Sequence, residues 1–267
     1  MMKSSQNSTS FSRRRFPSQF NQPTQTEIWA HRGFSSRFPE NTLPAFEAAL
    51  EIGVDGLELD IHRSKDGHIV VMHDYQVRRT TNASGYIFEL TLDELKSLDA
   101  GQWKGRHFIG YEIPTLAEVL SLVSHWNSPV TLNIESKSGR ITYPDLESDA
   151  WQLVKEYHME HQTVLSSFNH LALQQFKQTC PDASVAPLYW EGLVDSWLYA
   201  ERLGAPAVHP FKNAFNHEVV KACHQHGIRV HAFGVDDVRT ARRLIAWGVD
   251  ALITNHPDVL LGIQARP

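Results

Sequence analysis

"GLELDIHRSKDGHIVVMHD" spans Gly56 to Asp74, and the fold turns on how it is read. Two strand-like runs, "GLELDIH" and "HIVVMHD", are separated only by "RSKDG". Parallel strands need a crossover of a dozen residues or more, so a link this short joins an antiparallel pair. Asp66-Gly67 is a favoured turn for such a hairpin. The alternative is a bent chain in which both runs contribute to one sheet wall. With Asp66 and Gly67 as the two turn residues, Lys65 faces His68 and Asp60 faces His73. Directly opposed residues share a face, and Glu58, two residues from Asp60, shares it too. The hairpin is thus expected to gather two carboxylates and one imidazole, with Leu57, Leu59 and Ile61 turned the other way.

Outward from this segment the chain alternates. Strand-like runs include "EIWAH", "VTLNIES", "TVLSSF", "SVAPLY", "PAVHP", "IRVHAF" and "DALIT". Helix-like runs such as "LPAFEAALEIG", "TLAEVLSLVSHW", "DLESDAWQLVKEYH" and "VRTARRLIAWG" separate most of them. Such alternation argues for a parallel sheet. About eight βα units in roughly 240 residues is the size of an α/β (β/α)₈ barrel. With the hairpin extending over one end, nine strand candidates fit eight barrel positions. A doubly wound open sheet is the competing architecture, but no Gly-rich nucleotide fingerprint follows the first strand.

The expected division is a disordered polar tail over residues 1–27, rich in Ser, Gln, Asn and Thr, and a barrel domain over residues 28–263. "SRRRF" (Ser12 to Phe16) looks like a twin-arginine export signal, but the apolar stretch such a signal needs does not follow it. No apolar run is long enough for a transmembrane segment. A net charge of −5 provides no bulk attraction for nucleic acid. Cys180 and Cys223 lie outside any CxxC motif and fit buried or half-buried positions in a reducing, cytoplasmic setting. The oligomeric state is not legible.

Glu58 and Asp60 on one strand face are costly together unless a cation neutralises them. Mg²⁺ or Ca²⁺, which prefer carboxylate oxygens, would serve; a solvated polar face would show the same pattern. "TLNIESK" adds Glu135 and Lys137 at what should be a strand's C-terminal end, where barrel enzymes place their active groups. His31, Arg32 and Gly33 stand at the end of the first strand. Arg32 suits bidentate phosphate binding, and Gly33 would allow backbone to approach a ligand closely.

The ordered set "HRG…PENT…ELD…KDG…VVMHD" between His31 and Asp74 resembles the glycerophosphodiester phosphodiesterase family. "RTT…SG" (Arg79 to Gly85), "IPTLAEVL", "NIESK", "SSFN" and "ITNHPD" continue the resemblance in order, over roughly residues 28–262. It implies a TIM barrel that binds one divalent cation and hydrolyses glycerophosphodiesters to glycerol 3-phosphate and an alcohol. It assigns His31 and His73 to acid-base catalysis, Glu58, Asp60 and Glu135 to the metal, and Arg32 and Lys137 to the phosphate region. Residues 74–112 resemble the family's small insertion capping the barrel mouth. "FGVD" (Phe233 to Asp236) departs from a common Trp-Thr-Val-Asn run, Phe233 keeping an apolar wall for the substrate, and "TN" at Thr254-Asn255 replaces a common Thr-Asp. A lysophospholipid-cleaving activity would favour an apolar collar, for which Phe88, Trp103, Phe108 and Tyr111 are candidates; they are read instead as the insertion's own small core.

Overall fold

The structure, a computed structural model, describes residues 25–264. Strands and helices follow the sequence order: β1 (Glu27–His31), α1 (Leu43–Glu51), β2 (Gly56–Arg63), β3 (Ile69–Val71), α2 (Leu92–Lys96), α3 (Leu116–Ser124), β4 (Thr131–Ser136), α4 (Leu146–Glu156), β5 (Thr163–Ser167), α5 (His170–Thr179), β6 (Val185–Tyr189), α6 (Ser196–Leu203), β7 (Ala207–Pro210), α7 (His217–Gln225), β8 (Arg229–Phe233), α8 (Val238–Ala246), β9 (Ala251–Thr254) and α9 (Pro257–Gln264). All strands but β3 pair in parallel, and β1 closes the ring by pairing β9 on one side and β2 on the other. The result is the expected eight-stranded (β/α)₈ TIM barrel.

Alternation along the strands sorts their side chains. Leu57, Leu59 and Ile61 of β2 are fully buried against α1 and α3, in one core with Phe46, Leu116 and Leu120. Truncating one of them to Ala would cost about 2–5 kcal/mol. Their neighbours Glu58 and Asp60 point into the barrel, as do Trp29, Ala251 and Ile253 in a small interior cluster. Gly56 pairs with Trp29 across the closing seam, and a Cβ there would meet the indole at 2.5 Å. Gly33 has φ +75°, and a Cβ would lie 2.6 Å from the Ala45 carbonyl carbon. Its smallness thus serves the packing of the β1–α1 turn on α1, where Phe34 N–H donates to Ala45 O.

β2 and β3 form the hairpin, with a register one residue away from expectation. Ile61 pairs Val71, His62 pairs Val70 and Arg63 pairs Ile69. The turn contains three residues, Lys65 to Gly67, with Gly67 N–H donating to Ser64 O and Ser64 N–H to His68 O. Gly67, at φ +93°, takes the left-handed position that ends a type I turn in a three-residue loop. The added turn residue sets Met72, not His73, opposite Asp60, with Met72 N–H on Asp60 O. A one-residue slip exchanges faces, so pairing does not bring His73 to the carboxylates. The chain leaves the ladder after Val71, and His62 Nε2 holds the His73 carbonyl at 3.0 Å.

Beyond β3 the insertion has its own core, made by Val77, Ile87, Leu95 and Ala100 with Val70 and Met72 of the hairpin. Thr91 and Thr115 open α2 and α3 with capping boxes to Glu94 and Glu118. The four aromatics expected in this core lie outside it. Phe88 and Trp103 are exposed, and Phe108, flanked by Tyr111, packs against Phe38 of the β1–α1 loop. Residues 1–24 of the expected tail lie outside the described residues, while Thr26 donates to Val249 O and Glu27 already belongs to β1. Cys223 is buried and Cys180 half-buried. Among the described residues, no helix is long and apolar enough to cross a membrane.

Candidate active site

The C-terminal ends of the strands divide the barrel mouth into a charged half and an aromatic half. β1, β2 and β4 supply the charged half. Glu58, Asp60 and Glu135 each offer a carboxylate oxygen, all within 4.8 Å of one another, and all three residues are buried. Asp60 and Glu135 are paired in register across β2 and β4, which explains their approach. Desolvation, with Asp60 and Glu135 close by, pushes the Glu58 carboxyl well above the usual range, and burial also raises Glu135. Burial opposes ionisation of Asp60 too, but Lys137 and Arg32 outweigh it and hold it low.

Lys137 Nζ lies 2.8 Å from Asp60 Oδ1 and also contacts Glu135 Oε1. Arg32 Nε is 3.2 Å from Asp60 Oδ2, and Asn41 Nδ2 donates to that oxygen at 2.8 Å. Arg32 adopts the left-handed region, φ 57°, and its N–H, which donates to Glu58 O at 2.9 Å beyond the end of β1, also meets Glu58 Oε2 at 2.9 Å. Glu58 Oε1 is buried without a hydrogen-bond partner. Three buried carboxylates, with Glu58 Oε1 and Asp60 Oδ1 lacking a hydrogen-bond partner and the latter facing only the Lys137 ammonium, fit a hard divalent cation.

His31 sits beside this cluster, Nε2 3.8 Å from Glu58 Oε2. Its Nδ1 is 2.8 Å from Asn255 Oδ1. Asn255 Nδ2 donates to Asp236 Oδ2, so the amide is oriented with its oxygen toward the imidazole. An accepting oxygen at Nδ1 places the proton there and leaves the Nε2 lone pair facing the carboxylates. Desolvation, then Arg32 beside it, pushes the imidazole down to about 4. His73 Nδ1 is 2.7 Å from Asp74 Oδ1. His73, Glu135 and Lys137 line a cleft of about 570 Å³ together with Tyr75, Phe168 and Trp190.

The aromatic half is built from four successive strand ends. Phe168 follows β5, Trp190 follows β6, Phe211 follows β7 and Phe233 ends β8. Trp190 touches the other three, stacking on Phe168 with rings 5.9 Å apart. Phe168 and Trp190 are 38% and 53% exposed.

The structure therefore brings together His31, Arg32, Glu58, Asp60, His73, Glu135 and Lys137, and sets Phe233 on the facing wall. Sequence reasoning missed Asn41, Asp74, Asn255 and the three other aromatics. The aromatics left a signal, since "SSF", "LYW", "HPF" and "HAF" each end a strand on a ring. Asn255 stood in a motif, but its contact with His31 left no signal, because 224 residues separate the two.

A profile described as the glycerophosphoryl diester phosphodiesterase family matches residues 31–259. A glycerophosphodiester phosphodiesterase of Caldanaerobacter subterraneus subsp. tengcongensis is 42% identical over 242 residues, 91% of this chain and 99% of its own length. One from Bacillus altitudinis is 36% identical, covering 90% of this chain and 98% of the relative. The structure of an Oleispira antarctica phosphodiesterase in complex with the product sn-glycerol-3-phosphate superimposes with a TM-score of 0.80 at 30% identity, over 90% of this chain and 97% of that one. With a barrel of this topology and a match this long, the chain belongs to the glycerophosphoryl diester phosphodiesterase family and is a phosphodiesterase of that class.

Proposed function

We propose that the protein hydrolyses glycerophosphodiesters to glycerol 3-phosphate and an alcohol, with one divalent cation held by Glu58, Asp60 and Glu135. The observation carrying this reading is the buried three-carboxylate cluster with the free Nε2 of His31 directed at it. The glycerol 3-phosphate complex of the Oleispira antarctica relative supports the product. The oxygen-only donor set favours Mg²⁺ or Ca²⁺. Such a cation, when bound, neutralises charge on the phosphoryl oxygens and lowers the pKa of an attacking hydroxyl.

The chain's own residues do the rest. Arg32 and Lys137 bring positive charge to a phosphodiester that a protein of net charge −5 would otherwise repel. His31, neutral and carrying its proton on Nδ1, takes a proton from the nucleophile through Nε2. His73, its Nδ1 held on the Asp74 carboxylate, gives its Nε2 proton to the leaving oxygen. His73 lines the cleft that the aromatic wall closes, so the alcohol is assigned to that side.

The test is turnover of glycerophosphocholine and glycerophosphoethanolamine by chelated protein, before and after Mg²⁺, Ca²⁺ or Mn²⁺ is added. Activity should vanish on chelation and return with the ion; full turnover in excess chelator overturns the metal assignment. Cleavage of lysophospholipids is a second reading, favoured by the exposed aromatic surface of Phe168 and Trp190 lining the cleft. Lysophosphatidylcholine in the same assay decides it.

A further inference from the structure

A line of charged contacts joins the β1–α1 loop to the insertion and ends on His73. Arg32 Nη1 donates to Glu40 Oε1 at 2.8 Å. Arg79, in the short 3₁₀ turn Val77–Arg79, donates to Glu40 through Nη2 at 2.7 Å and Nη1 at 2.9 Å. The same guanidinium grips Asp74, Nε to Oδ2 at 2.7 Å and Nη2 to Oδ1 at 3.0 Å. Asp74 Oδ1 in turn receives His73 Nδ1 at 2.7 Å. All three nitrogens of Arg79 are therefore engaged by two carboxylates, one serving Arg32 and the other His73. A lysine ammonium, a point charge, cannot make both forked contacts.

We propose that Arg79 is a positioning residue that holds Asp74 so that His73 keeps its Nδ1 proton on that carboxylate and directs Nε2–H at the leaving oxygen, while the same guanidinium orients Arg32 through Glu40. The inference rests on the reading of His73 as the acid. In that step the P–O bond to the alcohol breaks, its electron pair stays on oxygen, and oxygen takes the proton from Nε2.

Two observations explain why Asp74 needs the second partner. The His73–Asp74 pair follows β3 in a bend, outside any ladder, and both side chains are about one-third exposed. A carboxylate there has water as an alternative partner unless its second oxygen is tied. Burial opposes ionisation of Asp74, but the hydrogen bonds from Arg79 and His73 outweigh it and hold the carboxyl down at about 2. The carboxylate thus stays charged throughout the working range. Arg79 belongs to the insertion, so the insertion contributes to the acid's alignment.

The test compares two substrates in the full chain, glycerophosphocholine, whose alkoxide needs a proton, and a nitrophenyl glycerophosphate, whose leaving group does not. The readout is the ratio of kcat/KM for the nitrophenyl ester to that for the choline ester. Arg79→Met should raise this ratio about 10–100-fold, the usual effect of losing an orienting partner. Asp74→Asn should raise it similarly, and the double variant no further, because both act through one contact. Arg79→Lys should restore part of the ratio. His73→Ala separates the two readings. If it raises the ratio and folded Arg79→Met does not, the inference is overturned and the acid assignment stands. If His73→Ala leaves the ratio unchanged, the acid assignment falls and the inference with it. Should Arg79→Met fail to fold by its melting curve, Arg79→Lys with Asp74→Asn makes the same comparison, and wild-type ratios in both overturn the inference.

Discussion

Replacing Glu58 by Gln should make the metal-free protein more stable and the metal-loaded protein less so. The Glu58 carboxyl shares a buried site with Asp60 and Glu135, with oxygens within 4.8 Å. At that distance and an effective dielectric constant of about 20, each like-charged pair repels by about 3 kcal/mol. Arg32 and Lys137 offset much of this, so the net relief from removing one charge is about 1–3 kcal/mol. The sign follows from the raised carboxyl of Glu58. Its folded value lies above the unfolded one, so the folded state binds the extra proton, and the metal-free fold loses stability as pH rises from the ordinary carboxylate range through the raised value. The amide removes that loss. For a domain of this size, ~1–3 kcal/mol is a rise of about 2–10 °C in Tm at pH 8. A cation that stabilises the wild type by about 2.7 kcal/mol at 100 times its Kd should stabilise the variant far less, since one ligand oxygen has lost its charge. Thermal melts with chelator, then with Mg²⁺ or Ca²⁺, read both effects. A metal-free variant that melts below wild type, or a metal-induced shift equal to that of wild type, would refute the reasoning.

His31→Ala should depress kcat on choline and nitrophenyl esters alike, by about 10²–10⁴-fold, because the nucleophile needs its base with either leaving group; a loss confined to the choline ester would make His31 the acid instead. Gly33→Ala forces a Cβ to 2.6 Å from the Ala45 backbone at φ +75°, and Tm should fall by the equivalent of at least ~2 kcal/mol, read by melting. The hydrogen bond to Asp250 at 2.9 Å raises the His224 imidazole above its ordinary value. Its contribution of about 0.5–1 kcal/mol is therefore fully present below pH ~6.5 and is lost as pH rises through the raised folded value. Urea unfolding should separate wild type from His224→Gln at pH 5.5 and bring the two together by pH ~9.

The sequence by itself determined the elements, their order and the side each residue of the barrel strand β2 faces. Strand and helix runs alternate with a period that burial enforces, so Leu57, Leu59 and Ile61 had to pack outward and Glu58 and Asp60 inward. The short link at Asp66-Gly67 determined that β2 and β3 are antiparallel. It did not determine their register, because a left-handed Gly ends both two-residue and three-residue turns, and the one-residue difference decides whether Met72 or His73 faces Asp60. The tertiary structure alone decided the contacts that orient the histidines. Asn255 reaches His31 only because β1 and β9 meet where the barrel closes, and Arg79 reaches Glu40 only because the insertion folds back on the β1–α1 loop. Local periodicity sets the face a side chain takes; which distant side chain it meets there depends on the summed registers of eight ladders and the path of the insertion, and these exist only in the closed barrel.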